Sequence, residues 1–148
     1  MKLLDSLDIS KSALQANRVK LSVISENLAN SETTRTKEGG PYRRKMVVFE
    51  SSPTNNDFKS TLNTIRKEQS SGDGVKVSEI VRSQEDFVLV HNPDHPDADP
   101  QTGYVAMPNV NHLTEMTDMI LARRAYDANV TVISNTKSMI LKALEIGK

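Results

Sequence analysis

Apolar residues recur along this chain with two different periods, and the change of period divides it into three parts. Near the start, Leu7, Leu14, Leu21 and Leu28 stand seven residues apart, with Ser10, Asn17 and Ile24 three residues after the first three. That spacing is the seam of an α-helix made to pair with another helix. It predicts a helix over 6–29, capped by Asp5 or Ser6 with Asp8 in the first turn, and about 36 Å long at 1.5 Å per residue. The end of the chain repeats the pattern. Met119, Tyr126, Ile133 and Ile140 recur every seven, followed three residues on by Ala122, Asn129, Thr136 and Ala143. This second helix starts after Pro108, with Asn109 or Asn111 as its cap, and runs to about Ile146, on the order of 50 Å. Lys137, Lys142 and Lys148 lie toward its C-terminus, where they suit the negative end of the helix dipole.

The middle, 31–110, holds all six prolines and five of the six glycines, so no long helix fits there. Tyr42–Glu50 and Val75–Val90 are rich in β-branched and aromatic residues and read as strands. Ser71-Gly-Asp-Gly74 is a turn signal just before the second. The polar stretch Ser51–Ser71 reads as a loop with room for one short helix around Thr61–Lys67. His91–Gly103, dense in Pro and Asp, reads as an ordered string of turns. The predicted fold is mainly α with a small β-rich insert, its long N- and C-terminal helices pairing as an antiparallel coiled coil. The segments are 1–35, 36–108 and 109–148.

A narrow apolar stripe on a lone helix is marginal in water, so each end of the chain needs a partner, and the nearest is the other end. Run antiparallel, the seams mesh large against small: Leu7 with Ala143, Ser10 with Ile140, Leu14 with Thr136, Asn17 with Ile133, Leu21 with Asn129, Ile24 with Tyr126 and Leu28 with Ala122. A heptad repeat leaves this pairing open to a shift of one heptad. The polar seam residues Ser10, Asn17, Asn129 and Thr136 have two readings, as semi-exposed positions or as hydrogen-bonding groups between subunits.

Composition points outward as well. Aromatic residues are 4% of the chain and Trp is absent, which is lean for a self-sufficient core: either the core is small, or part of the apolar surface is meant for burial against other chains. Lys plus Arg and Asp plus Glu balance at 19 each, which argues against a general nucleic-acid binder. With no Cys there is no disulfide, thiolate metal site or cysteine nucleophile. The first ten residues lack the apolar centre of a secretory signal, and no apolar run approaches the ~20 residues of a membrane span.

Candidate chemistry is sparse. His91, Asp94, His95, Asp97 and Asp99 are the one ligand-rich cluster, but Pro93 and Pro96 rule out a regular helix there, and a structural loop is the better reading. There is no nucleophile elbow, P-loop or dinucleotide fingerprint. No catalytic residue, cofactor or metal is expected. Arg43-Arg44-Lys45 reads as a solvated or subunit-pairing face in preference to a phosphate site. Arg123-Arg124 is either solvated or paired with a neighbour's carboxylates.

Several motifs carry a resemblance. Ile9-Ser10 and Asn27-Leu-Ala-Asn30, followed by Thr33 and Thr34, resemble the N-terminal signature of the flagellar axial (rod and hook) proteins. Glu115-Met and Ala122-Arg-Arg-Ala-Tyr-Asp-Ala-Asn129 are similar to the matching C-terminal signature. Tyr42-Arg-Arg-Lys, Gly74-Val-Lys-Val, Asn92-Pro-Asp-His-Pro-Asp-Ala98 and Gly103-Tyr-Val-Ala-Met-Pro-Asn-Val-Asn111 resemble the proximal rod members of that family. Ser31-Glu-Thr-Thr-Arg-Thr-Lys-Glu departs from the family's shorter Asn/Thr run. The resemblance implies a structural subunit of the basal-body rod that self-assembles helically and transmits torque from motor to hook. Its implied partners are other copies of itself, other rod proteins and the flagellar type III export apparatus, with no nucleic acid and no catalytic substrate. The implied place is the rod in the periplasmic space, reached without a cleaved signal peptide. Seam and resemblance together give an expected assembly interface of Leu7, Leu14, Asn17, Leu21, Ile24, Asn27, Leu28, Asn30, Met119, Ala122, Tyr126, Asn129, Ile133 and Ile140. The rival reading is a cytoplasmic coiled-coil adaptor or chaperone-like module of fixed stoichiometry.

Overall fold

A computed structural model describes residues 3–53 and 73–146. Helix α1 spans Leu3–Ala29, followed by strands β1 (Lys45–Pro53), β2 (Asp73–Arg82), β3 (Val88–His91) and β4 (Tyr104–Met107), and helix α2 (His112–Ile146) closes the chain. The helices are about 40 and 52 Å long. α1 starts earlier than expected, so Asp5 sits inside its first turn, where a carboxylate suits the positive end of the dipole. At α2 the cap is Asn111, whose Oδ1 accepts from the Thr114 amide at 3.1 Å. Asn109 is engaged elsewhere.

α1 is the spine. It packs on α2 along one side and on β1 and β2 along the other. Ser12 marks the sheet side, where its Oγ accepts from the Val75 amide at 3.1 Å. A Cβ on Gly74 would come within 2.7 Å of that hydroxyl, so the close approach needs glycine. Ser10, about 200° away around the helix, is buried on the α2 side. What remains of α1 for solvent is one polar line of Asp8, Lys11, Gln15, Arg18, Ser22 and Ser25, ending on Ala29.

Among the described elements, only α1 packs on α2. The covered positions of α2 are Glu115, Asp118, Met119, Ala122, Tyr126, Asn129, Ile133, Thr136 and Ile140, so the heptad line read from the sequence is the face it turns inward, except for Ala143, which is exposed. Asn27, near the end of α1, hydrogen-bonds Glu115 in the first turn of α2, and burial continues to Ser10 on one helix and Thr136 on the other. The two therefore run antiparallel. The same bond corrects the expected alignment. With Leu28 opposite Ala122, Asn27 would lie level with Arg123, roughly 12 Å along the axis from Glu115 and out of its reach. The helices sit one heptad away from that pairing.

β1 and β2 form an antiparallel pair from Lys45↔Arg82 to Pro53↔Asp73, with a bulge between Val48 and Phe49. Residues 42–44, expected in the first strand, precede it. The expected strand Val75–Val90 is two strands, broken where Ser83 is buried and its amide donates to Arg44 O at 2.8 Å. β3 and β4 form a second antiparallel pair, from Val88↔Met107 to His91↔Tyr104. β4 is a strand the periodicity did not reveal, because four residues are too few to establish an alternation. Asp73 and Gly74 of the expected turn lie in β2, and Ser51–Pro53 of the expected loop in β1. The rest of that turn and loop, with the short helix at Thr61–Lys67, falls outside the described residues.

Among the described residues the core is thin: its buried apolar side chains are Ala16, Val23, Ile24, Tyr42, Val105 and Ala122, and Ser10, Asn27, Ser83, Asn109, Glu115 and Thr136 are buried among them. Hydrogen bonding therefore carries much of the work of holding helix, sheet and helix together.

Candidate functional site

The polar residues of that core converge where α1 ends, β1 begins and α2 starts. Asn27 is 1% exposed, as is Glu115. Asn27 Oδ1 accepts from Tyr42 Oη at 2.9 Å and from the Lys45 amide at 2.9 Å. Its Nδ2 donates to Lys45 O at 2.9 Å and to Glu115 Oε2 at 3.0 Å. Both acceptor and both donor sites of the amide are thus used within the chain. The other Glu115 oxygen accepts from Arg44 Nε at 2.6 Å, and Arg44 Nη2 reaches Asp118 at 3.5 Å. Arg44 is fixed from behind, its amide donating to Asn109 Oδ1 at 2.9 Å, while Asn109 Nδ2 donates to Glu85 O at 3.1 Å. Lys45 Nζ pairs with Glu26. This hub joins both helices to the insert with no buried side-chain polar atom left unsatisfied among the described residues.

Tyr42 is the titratable marker of the hub. Burial, and then the negative charges of Glu26 and Glu115, push its hydroxyl up to about 12. A value raised above the ordinary 10 in the folded state means that its contribution to stability is complete below pH 10 and is lost as pH rises from 10 toward 12. A difference titration of the tyrosinate absorbance, with Tyr42→Phe as the blank, should place this ionisation near 12. Ionisation at an unshifted value would mean that the hydroxyl is solvated.

The structure relocates several residues singled out above. Asn27 lies inside the subunit, its amide fully used by Tyr42, Lys45 and Glu115. Asn30 closes α1, donating from Nδ2 to Glu26 O at 2.9 Å. Ile24 and Ala122 are buried, and Leu7, Leu14, Asn17, Leu21, Leu28, Met119, Tyr126, Asn129, Ile133 and Ile140 are half-buried, along the sides on which the helices meet or next to them. Three of the four polar seam groups bond within their own helices, and Thr136 is buried. Ser10 Oγ donates to Ser6 O, Asn17 Nδ2 to Ala13 O, and Asn129 Nδ2 to Ala125 O, at 2.8, 3.0 and 2.8 Å. The basic run is not a solvated face. Arg44 and Lys45 face Glu115 and Glu26, and the Arg43 guanidinium lies 4.3 Å from the Phe87 ring centroid. Arg123 and Arg124 are exposed.

In the Pro/Asp-rich loop, Asp97 accepts from Thr34 Oγ1 at 2.8 Å and pairs with Arg35 at 2.7 Å, tying the loop to the segment after α1. Asp99 accepts from the Gln101 amide and the Thr102 hydroxyl, which hold its carboxyl below the usual value. Among the described residues no three His, Asp or Glu side chains converge as metal ligands. Of the hub, sequence reasoning had Asn27 and the motif residues Tyr42, Arg44, Lys45 and Glu115, but not their mutual contact. The available signal was Glu115, a carboxylate on the covered side of an amphipathic helix that therefore needs an internal cation.

Helices from the two chain ends are held together around a small insert, with a polar hub bonded within the subunit, an arrangement suited to a structural protein. Residues 7–37 match the model for flagella basal body rod proteins, and residues 101–146 match that for the C-terminal part of the basal body rod FlgEFG proteins. These spans hold Glu26, Asn27, Asn109, Glu115 and Asp118 of the hub, and Tyr42, Arg44, Lys45 and Glu85 lie between them. The chain is similar along nearly its whole length to particular rod proteins. It is 49% identical to flagellar basal-body rod protein FlgC of Bacillus subtilis over 97% of both chains. It is 41% identical to that of Borreliella burgdorferi over 99% of this chain and 98% of the relative, and 40% identical to that of Salmonella typhimurium over the full length of both. The chain belongs to the FlgC family of flagellar basal-body rod proteins, a family of structural subunits.

Proposed function

We propose that this subunit is built into the rod through two separate lines on α2: an inner line that pairs with α1 as a coiled coil, and an outer line that packs on neighbouring rod subunits, copies of this chain included. One observation carries the reading. Leu121, Ala125, Ala128, Val132, Asn135 and Met139 follow one another at alternating intervals of four and three residues, and all are exposed, Leu121 at 55% and Met139 at 51%. That is a second heptad stripe, with small residues that let another helix approach closely. α1 turns a mostly polar line outward, so of the two helices it is α2 that leaves an apolar face for neighbours.

On this reading the expected interface residues divide. Those of the inner seam act within the subunit, and contact between subunits moves to the outer line. The stretches 1–35 and 109–148 form the helical layer of the rod, and 36–108 lies against it. Contacts between different faces wind copies into a helix instead of closing a small ring, and many side-by-side helix contacts share torque without bond-making chemistry. Passage through the type III export apparatus without a cleaved signal, and a periplasmic position, are supported by family membership. The adaptor reading has no comparable support, since the relationship to rod proteins spans the chain. Val132→Glu and Ala128→Glu test the outer line. Both side chains face solvent, so helix content should be unchanged while the amount of subunit in purified basal bodies falls at least tenfold. Wild-type incorporation would refute the assignment.

A further inference from the structure

Seams that repeat every seven residues on both helices can meet in more than one alignment, because sliding α2 by one heptad brings seam back to seam. With Asn27 level with Met116 and its side chain reaching one residue along to Glu115, the layers are Leu7–Thr136, Leu14–Asn129, Leu21–Ala122 and Ile24–Met119, with Leu28 beside Glu115. Slid by one heptad, about 10 Å, Leu7 meets Ala143, Leu21 meets Asn129 and Leu28 meets Ala122. The slid arrangement gains an apolar partner at each end of the seam. Apolar burial therefore does not select the alignment that the protein adopts.

We propose that the Asn27–Glu115 hub is a register lock, choosing one of two alignments that the heptads leave nearly equivalent. The proposal rests on the seam pairing read above. Three features of the hub support it. Asn27 meets Glu115 through a 3.0 Å bond between groups that are each 1% exposed, so losing the bond strands both away from water. Arg44 is held by Asn109 and Ser83 on the insert side and cannot follow a sliding helix. The slide would also remove Glu115 and Asp118 from Arg44 and bring Arg123 level with Asn27, setting cation beside cation in place of two ion pairs. A polar pair buried in a helix seam is a known way to fix register at some cost in stability.

The chain has no cysteine, so introduced pairs can report the alignment directly. A disulfide needs Cα atoms within about 7 Å, which a one-heptad error exceeds. In the full-length chain at low concentration, mild oxidation should close Leu21→Cys/Ala122→Cys within the monomer and leave Leu21→Cys/Asn129→Cys reduced. Adding Glu115→Ala should raise closure of the second pair at least tenfold with helix content retained. Glu115→Gln, which keeps the volume and removes the charge, should raise it severalfold. If neither pair closes while Glu115 is intact, the seam pairing itself fails, and the lock with it. If the first pair closes and neither variant raises the second, the seam stands and the lock is overturned. Loss of helix content in both variants would assign the hub to folding instead of register, which also overturns the proposal.

Discussion

Asn27→Asp lowers the stability of the folded chain by about 3 kcal/mol at pH 7, as the expected result of a change that alters almost no volume. The new oxygen replaces the Nδ2 that donates to Lys45 O and to Glu115, and so faces a carbonyl and a carboxylate at hydrogen-bond distance. Two carboxylates that close in a site 1% exposed cannot both ionise cheaply. The folded-state pKa of the introduced group is raised, so the penalty is present at neutral pH and shrinks as pH falls toward 4. Urea midpoints at pH 7 and pH 4, compared with the parent chain at each pH, measure the effect. A loss within about 0.5 kcal/mol at pH 7, the size of an ordinary surface change, would contradict the burial and bonding of this amide.

Leu21→Asp, or Ile133→Asp, should abolish incorporation into the rod and motility with it. Either change puts a carboxylate in the seam between the helices, at a cost of about 3 kcal/mol from lost apolar burial and desolvation. The sheet lies on the other side of α1, anchored where the Val75 amide meets Ser12 Oγ, so the damage should be one-sided. Hydrogen exchange should show the amides of α2 losing protection while those paired between β1 and β2 keep theirs. Normal incorporation of either variant would count against a role for the paired helices in the rod.

The terminal helices were legible because each carries a heptad line over several turns, and a line that long has few alternative explanations. On α2 every expected seam position, from Met119 to Ile140, lies on the covered face. The short elements were harder. β4 spans only Tyr104–Met107, and the break between β2 and β3 depends on Ser83 being buried against Arg44 O, a contact across the fold. Arg43-Arg44-Lys45 read as a solvated or subunit-pairing face because charge alone suggests solvent or a neighbour. Its carboxylate partners, Glu26 and Glu115, lie far away along the chain.

Sequence by itself determined that this protein has two long helices that need partners, a small insert between them, and motifs of the rod family, since periodicity and local motifs are properties of neighbouring residues. Tertiary structure alone decided how the helices align and which distant side chains meet at their junction. A repeat of seven is unchanged by a shift of seven, so no count of apolar positions can choose the alignment. That choice falls to a few directional bonds, at Asn27, Glu115 and Arg44, whose energies depend on groups distant in sequence meeting within about 3 Å.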